Sequence, residues 1–544
     1  MWKSIKLFIN LLITSIVFNL FITTLILLLN PQIILNTREF FILYFDLFIF
    51  YGPLWFIFSG VTFFITQFFS EKKYQIGILF PPTITYFLSF TVFVISFILY
   101  FNYDYYFNFF SSNIKFEFLK ILLTNLILII TSILFLTIKS VNKKWIQTFF
   151  LIILLYNIII CYKLTIYNNN SYMNNIDIDK KKFSQEVSPR KIRIVIMDGL
   201  SSNFILSLSS EQKLLNFKYL MNNGVRGSIT TFKPNPNLSL MNSGLTGLKP
   251  SEFNLHSNNK FKFPDLEYEF NTFPRYIFFR YSSNFKFTLF YKTNNDMVID
   301  NIKKYYETNN YKTAQLINPF YVPMYSKKSL YRNNLFIHLY SDIINKESPK
   351  YEILKKSFFF DDYLKNRIPE LKNSKIFYST VRMPGLGTIS KYFYQYYMNY
   401  LFPNVPKKEI KKYKWIIEKY YEYYDSIIGN LISTTGENEL LVILSFFEYE
   451  PLPVWRRILV NLFFHKDIYV YKSLNSKGTI FLYEKSALKK DYPLKSISIF
   501  DIFPTLLYYS GFQLSKNLHG EVIKEIFTDE FLLNNPIDIN TNYR

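Results

Sequence analysis

The sequence is poor in the residues on which disulfide-rich and metal-dependent proteins depend. Its 544 residues include a single cysteine, Cys161, and only four histidines, His256, His338, His465 and His519. One thiol excludes an intrachain disulfide, so stability rests on packing alone. Four imidazoles leave little with which to build a histidine-rich metal centre. Acidic residues are also scarce: 62 lysines and arginines face 40 aspartates and glutamates, a formal net charge of +22. Such an excess suits nucleic acid or an anionic membrane surface. The basic residues, however, are scattered as lysine among Asn, Tyr, Phe and Ile, with no arginine-rich stripe and no nucleic-acid signature, so a nucleic-acid partner is not expected. There is no internal repeat, and no small-residue cleavage site follows the first apolar run.

Apolar residues are abundant. Hydrophobic residues make up 50% of the chain and aromatics 20%, while 19% is still charged, so the apolar residues must be concentrated. They gather at the N-terminus. Five stretches, Phe8–Leu29, Phe48–Phe69, Pro82–Phe101, Phe118–Ile138 and Gln147–Cys161, read as helices crossing about 30 Å of hydrocarbon. Lys3 and Lys6, then Lys72 and Lys73, then Lys139, Lys143 and Lys144 occupy alternate loops, which places the N-terminus in the cytoplasm. An odd number of spans then leaves the rest of the chain outside. The piece Phe40–Tyr51, which contains Asp46, reads either as an interfacial helix or as the start of the second span. The pattern predicts a multi-pass anchor in the cell (inner) membrane over residues 1–165, a polar tether over 166–190 and an exterior domain over 191–544. That domain is periplasmic under two membranes and extracellular under one.

Within the exterior part, Arg193–Met197 is a short apolar, β-branched run that stops at Asp198-Gly199, so it reads as a buried strand. The Asp198 carboxylate emerges at the strand's C-terminal end, where open α/β sheets hold ligands and metals. A helix is expected over Glu211–Asn222, capped by Gly224, with strands at Lys375–Val381 and Glu439–Leu444 and a long helix Lys411–Thr434 between them. The alternation argues for an α/β domain with a mostly parallel sheet and helices on both faces. The tyrosine-rich helix Lys391–Leu401 reads either as half-buried packing or as a face against lipid headgroups.

The order of motifs resembles the alkaline phosphatase superfamily, particularly its type I phosphodiesterase/nucleotide pyrophosphatase and sulfatase branch. The residues that carry the resemblance are Ile194-Val-Ile-Met-Asp198-Gly199, Asn223-Gly224-Val225, Pro234-Asn-Pro-Asn237, Leu245-Thr246-Gly247-Leu-Lys-Pro250 and, near the C-terminus, Asp501-Ile-Phe-Pro504-Thr505 with His519-Gly520. A five-span anchor ahead of such a domain is also similar to the layout of lipoteichoic-acid synthases. The resemblance implies two divalent cations, usually zinc, held by Asp and His, and a Thr or Ser nucleophile that forms a covalent intermediate.

Against that pattern Asp198 matches the first metal aspartate, its other reading being a turn cap. Asn237 stands at the nucleophile position, and an amide cannot act as an alkoxide. Ser239 is the alternative nucleophile if the turn is re-registered, and otherwise an ordinary turn serine. Gly387 and Lys391 stand where an aspartate and a histidine ligand belong, and Phe446-Phe447 where Asp-His belongs. Glu448 and Glu450 read as loop glutamates or as substitute ligands. His519 is a candidate metal ligand or a surface turn residue. His338 reads as half-buried, His465 as a loop residue, and His256 follows Pro250 in a segment that supplies no ligand.

The expectation is a membrane-anchored envelope protein with a degraded metal site, a non-catalytic binding domain without a cofactor. The alternative is an active phosphate- or sulfate-ester hydrolase or phosphotransferase using zinc or manganese. Its partners are the bilayer and an envelope lipid or glycan; the sequence points to no protein partner.

Overall fold

A computed structural model describes residues 2–28, 30, 33, 35–69, 82–101, 114–137, 155–156, 159, 189–233, 236–253, 259–263, 265–271, 291–294, 300–316, 348–369, 375–464, 469–472, 477–515, 518–537 and 539–540. The chain divides into two compact units, Met1–Ile178 with Lys249–Asn295, and Asp179–Leu248 with Asp296–Arg544. The segment Lys249–Asn295, placed by the sequence in the exterior domain, thus belongs to the first unit.

The first unit contains α1 (Trp2–Leu28), α2 (Thr37–Phe69), α3 (Pro82–Phe101) and α4 (Ile114–Thr137). The stretch Phe40–Tyr51 is part of one 33-residue helix that accommodates Pro53. Among the described residues two helical segments are long and apolar enough to cross a membrane, Leu7–Leu27 and Thr37–Ile65, while Phe87–Phe101 and Phe118–Thr131 are shorter. The fifth expected stretch, Gln147–Cys161, lies almost wholly outside the described residues. Asn19 Nδ2 donates to the Tyr44 carbonyl and Tyr44 Oη to the Ile16 carbonyl, each at 2.9 Å, which ties α1 to α2 through groups that an apolar surrounding cannot satisfy. Phe18 stacks on Trp55 with centroids 4.2 Å apart. Strands β3 (Asn259–Lys262), β4 (Glu269–Asn271) and β5 (Tyr291–Asn294) form a small antiparallel sheet, and Phe263, Leu266 and Phe270 share the apolar core of these helices.

The second unit is the expected α/β domain. Its sheet comprises β1 (Lys191–Met197), β2 (Val225–Thr230), β6 (Lys312–Leu316), β7 (Ile376–Met383), β8 (Glu439–Ser445), β11 (Lys477–Tyr483) and β12 (Tyr492–Ser498), in the order β12-β2-β11-β8-β1-β7-β6. All pairings are parallel except those of β11, which is antiparallel to β2 and β8 and makes the sheet mixed. Two outer strands, β9 (Tyr449–Pro451) and β10 (Val470–Lys472), pair with each other.

Successive strand side chains alternate between faces. Val195, Met197, Val381, Met383, Leu441, Ile443, Phe481 and Tyr483 point into one core, with α5 (Ser202–Ser210), α6 (Leu215–Asn223), α9 (Pro349–Arg367), α10 (Gly385–Tyr397) and α12 (Ile416–Thr434) packed on it. Their neighbours Ile194, Ile196, Val442, Leu444 and Ile480 are buried on the opposite face. There α8 (Asn301–Thr308) lays Tyr306 on Tyr378 of β7, with centroids 5.6 Å apart. Further helices include α7 (Asn237–Thr246), α11 (Lys407–Tyr413), α13 (Val454–Phe464) and α14 (Ile502–Ser510).

Three local expectations change. The helix expected over Glu211–Asn222 begins only at Leu215, as α6, because Glu211–Leu214 is a turn that separates it from α5, and Lys411–Thr434 is broken near Lys414 into α11 and α12. Gly224 is extended (φ −143°), not left-handed. It is glycine because an added Cβ would lie 2.4 Å from the Leu482 carbonyl oxygen of β11.

Candidate functional site

Two parallel neighbours, β1 and β7, end together with Met197 opposite Met383, which brings Asp198 beside Arg382. The Asp198 backbone N–H donates to the Met383 carbonyl at 3.1 Å. Arg382 then clamps the carboxylate: Nη2 donates to Oδ2 at 2.6 Å, and Nε approaches Oδ2 and Oδ1 at 3.2 and 3.4 Å. Both side chains are almost buried, 13% and 8% exposed, so the pair interacts with little solvent screening.

The start of α10 closes one side. A Cβ on Gly387 would lie 3.0 Å from the Asp198 Cβ and 3.1 Å from its carbonyl oxygen, so the backbone here tolerates no larger residue without moving. That helix start is held from behind by Asp361, which accepts from Gly385 N at 3.2 Å, Tyr420 Oη at 2.6 Å and Tyr424 Oη at 2.7 Å. Burial pushes the Asp361 carboxyl up to about 7, against the pull of those three hydrogen bonds, and the negative charge of Asp198 raises it further.

Lys472, at the end of β10, supplies a second cation. Its Nζ donates to Asn237 Oδ1 and lies 4.5 Å from the centroid of the Phe447 ring. Burial lowers its pKa to about 8; Asp198 opposes that shift, while Arg382 and Lys391 add to it. The charged groups acting together are therefore Arg382, Lys391 and Lys472 against one carboxylate, three positive and one negative. Tyr449 lies beside Gly199 and packs edge-to-face on Phe447 at 5.6 Å.

The other residues singled out in the sequence disperse. Asn237 is the first residue of α7, and its amide oxygen accepts from Lys472. Ser239 is fully buried in the first turn of the same helix. Phe446 packs against Gly244 of α7. Glu448 turns away to the start of α5, accepting from Ser201 Oγ at 3.1 Å, Ser202 N at 3.4 Å and Thr479 Oγ1 at 3.0 Å, so it serves a helix N-terminus. Glu450 pairs across the β9–β10 ladder with Tyr471. His519 is exposed and packs on Phe500 at 6.0 Å, and His256, His338 and His465 lie outside the described residues. Asp501 accepts from Ser498 N at 2.8 Å and Glu521 N at 3.0 Å, a structural role at the start of α14.

These residues do not fit a two-zinc centre. The carboxylate best placed to ligate is held by a guanidinium, the neighbouring helix start has no room for a second aspartate, and an ammonium acts on the same space. Among the described residues no three His, Cys, Asp or Glu side chains gather as a metal-holding group. What the arrangement can do is bind an anion.

Sequence reading missed Arg382, Lys472 and Asp361. Arg382 had a legible signal, a lone arginine immediately after the strand expected over Lys375–Val381. Lys472 and Asp361 had none.

No protein family model and no curated protein sequence matches the chain. Solved structures similar to it include murine ectonucleotide pyrophosphatase/phosphodiesterase 5, at 10% identity and TM-score 0.37, covering 62% of this chain and 100% of that one. A phosphonate monoester hydrolase from Silicibacter pomeroyi gives 11% and 0.34, covering 65% and 78%. The protein BT4656, in complex with D-glucosamine-2-N,6-O-disulfate, gives 12% and 0.33, covering 65% and 82%. All three are members of the alkaline phosphatase superfamily. Overlaps this small say nothing of what the present chain binds or turns over.

Proposed function

We propose that the chain is a membrane-anchored cell-envelope protein whose exterior α/β domain binds a phosphate or sulfate ester, carried on a lipid or glycan, without hydrolysing it. Its anchor has five spans and a cytoplasmic N-terminus, and the site works without a metal. The observation that carries the reading is the Asp198–Arg382 clamp with Lys472 beside it. Fixed side-chain cations take the place that divalent ions would need, and Asn237 offers no nucleophile. Lys472, Lys391 and the second edge of Arg382 supply the donors that a tetrahedral anion requires.

Calorimetry on the full-length protein in detergent tests this with inorganic phosphate and sulfate as probes. Binding is expected, and Lys472→Gln should weaken it about tenfold or more, because a charge-assisted hydrogen bond contributes roughly 1.5–3 kcal/mol. Stoichiometric zinc or manganese in the purified protein, or steady release of nitrophenol from bis-nitrophenyl phosphate, would overturn the reading in favour of an active hydrolase.

A further inference from the structure

The helix α13 follows the site strand β9 and carries Val454, Trp455, Ile458 and Leu462 at 62%, 58%, 56% and 65% exposure. At 100° per residue these four fall within an arc of about 100°, one continuous apolar stripe. Single exposed apolar residues are ordinary, but four large ones aligned on one helix are not. The flanks are basic. Arg456 lies 5.0 Å from the Trp455 ring, and Arg457 lies 4.9 Å from the ring of Phe402.

That second contact joins α13 to another unusual surface. Tyr400 and Leu401, immediately before Phe402, are 73% and 36% exposed. Five residues beyond Phe402 begins α11, Lys-Lys-Glu-Ile-Lys-Lys-Tyr, on which Lys407, Lys408 and Lys411 are exposed, followed by an exposed Lys414. An apolar stripe with a tryptophan, an adjacent tyrosine–leucine pair and a lysine cluster next to both is the chemistry of a surface that inserts shallowly among anionic headgroups. The helix of tyrosines before it divides accordingly: Phe393, Tyr394 and Tyr396 are buried packing, while Tyr392 and Tyr400 face out.

We propose that α13, Tyr400–Leu401 and the lysines of α11 form a docking face for an anionic lipid bilayer. The face lays the α/β domain on the membrane surface. The occupant is a lipid surface and not a protein because the chain has its own bilayer-length apolar helices and because the lysines beside the stripe match anionic lipid. The inference rests on the anchored reading above.

The test uses the full chain in nanodiscs of phosphatidylcholine with phosphatidylglycerol, in a Cys161→Ala background. Spin labels are placed by Ile458→Cys, Leu462→Cys and, as a control on an 82%-exposed residue elsewhere, Leu533→Cys. Labels at 458 and 462 should be several-fold more accessible to oxygen than to a water-soluble nickel chelate, and the label at 533 should show the reverse. Removing the phosphatidylglycerol, or combining Lys407→Glu, Lys408→Glu and Lys411→Glu, should move the 458 label toward water. Water-like labels at 458 and 462 in a protein that resists alkaline carbonate extraction overturn the docking face and leave the anchor standing. Labels shielded from both reagents mean that protein covers the stripe and also overturn it. Extraction by carbonate overturns the anchor, and the docking face with it.

Discussion

Strand β1 carries a buried arginine–carboxylate pair at each end, and the two ends behave differently. At its start Arg193 Nη2 meets Glu439 Oε1 at 2.6 Å, and Nη1 donates to Thr434 at 3.0 Å. One positive and one negative charge are enclosed there, with side chains 4% and 11% exposed. At its end Asp198 meets Arg382 at the same 2.6 Å, but Lys472 and Lys391 also act there and leave an excess of positive charge. Identical pair chemistry thus closes one end of the strand and leaves the other able to accept an anion. The difference lies in the neighbours, not in the pair.

The largest effect should come from breaking the closed end. Arg193→Met leaves Glu439 buried without its partner and should cost about 3–5 kcal/mol, read as a fall in the denaturant midpoint. A loss no larger than that of a surface substitution would show that the two ends are equally open. A second break concerns Asp361, which only the open end has. Its carboxyl is raised from its usual value to about 7, so the stability it contributes is complete below about 4 and is lost as pH rises through 7. The full change is roughly 4 kcal/mol at about 1.4 kcal/mol per pH unit. Asp361→Asn should flatten the pH dependence of the unfolding midpoint between 4 and 7, and an unchanged slope would mean that the group titrates elsewhere.

Smaller effects sharpen the comparison. Gly387→Ala forces a methyl against Asp198 and should cost about 1–3 kcal/mol, visible in thermal unfolding, and Gly387→Asp should gain no metal by elemental analysis. Lys472 has a depressed pKa near 8, so it is an ammonium below that pH and an amine above it. Phosphate affinity should therefore fall about tenfold as pH rises from 7 to 9.5, a change of about 1.4 kcal/mol, and Lys472→Gln should lose that dependence. The same depressed pKa makes the fold gain stability as pH rises from 8 to 10.5, because over that range the unfolded chain holds the proton that the folded chain has released.

Much of this was legible along the chain because it is written in local pattern. The apolar run into Asp198, the strand Glu439–Ser445 and the Asp501–Thr505 helix start each announce themselves through residues that are neighbours in sequence. The break in the long helix near Lys414 did not, since no proline or glycine marks it. Gly224 was legible as a glycine position but not for its reason, which is the backbone of β11 some 260 residues away.

The sequence by itself determined that one carboxylate, Asp198, would stand at the C-terminal end of a buried apolar strand. Periodicity and residue type suffice for that. Only the tertiary structure decided that Arg382 clamps Asp198, that Lys472 reaches Asn237 from a three-residue strand, and that Glu448 turns away to cap a helix. Electrostatic environment depends on distances of a few ångströms between residues hundreds of positions apart, and no local pattern encodes such a distance.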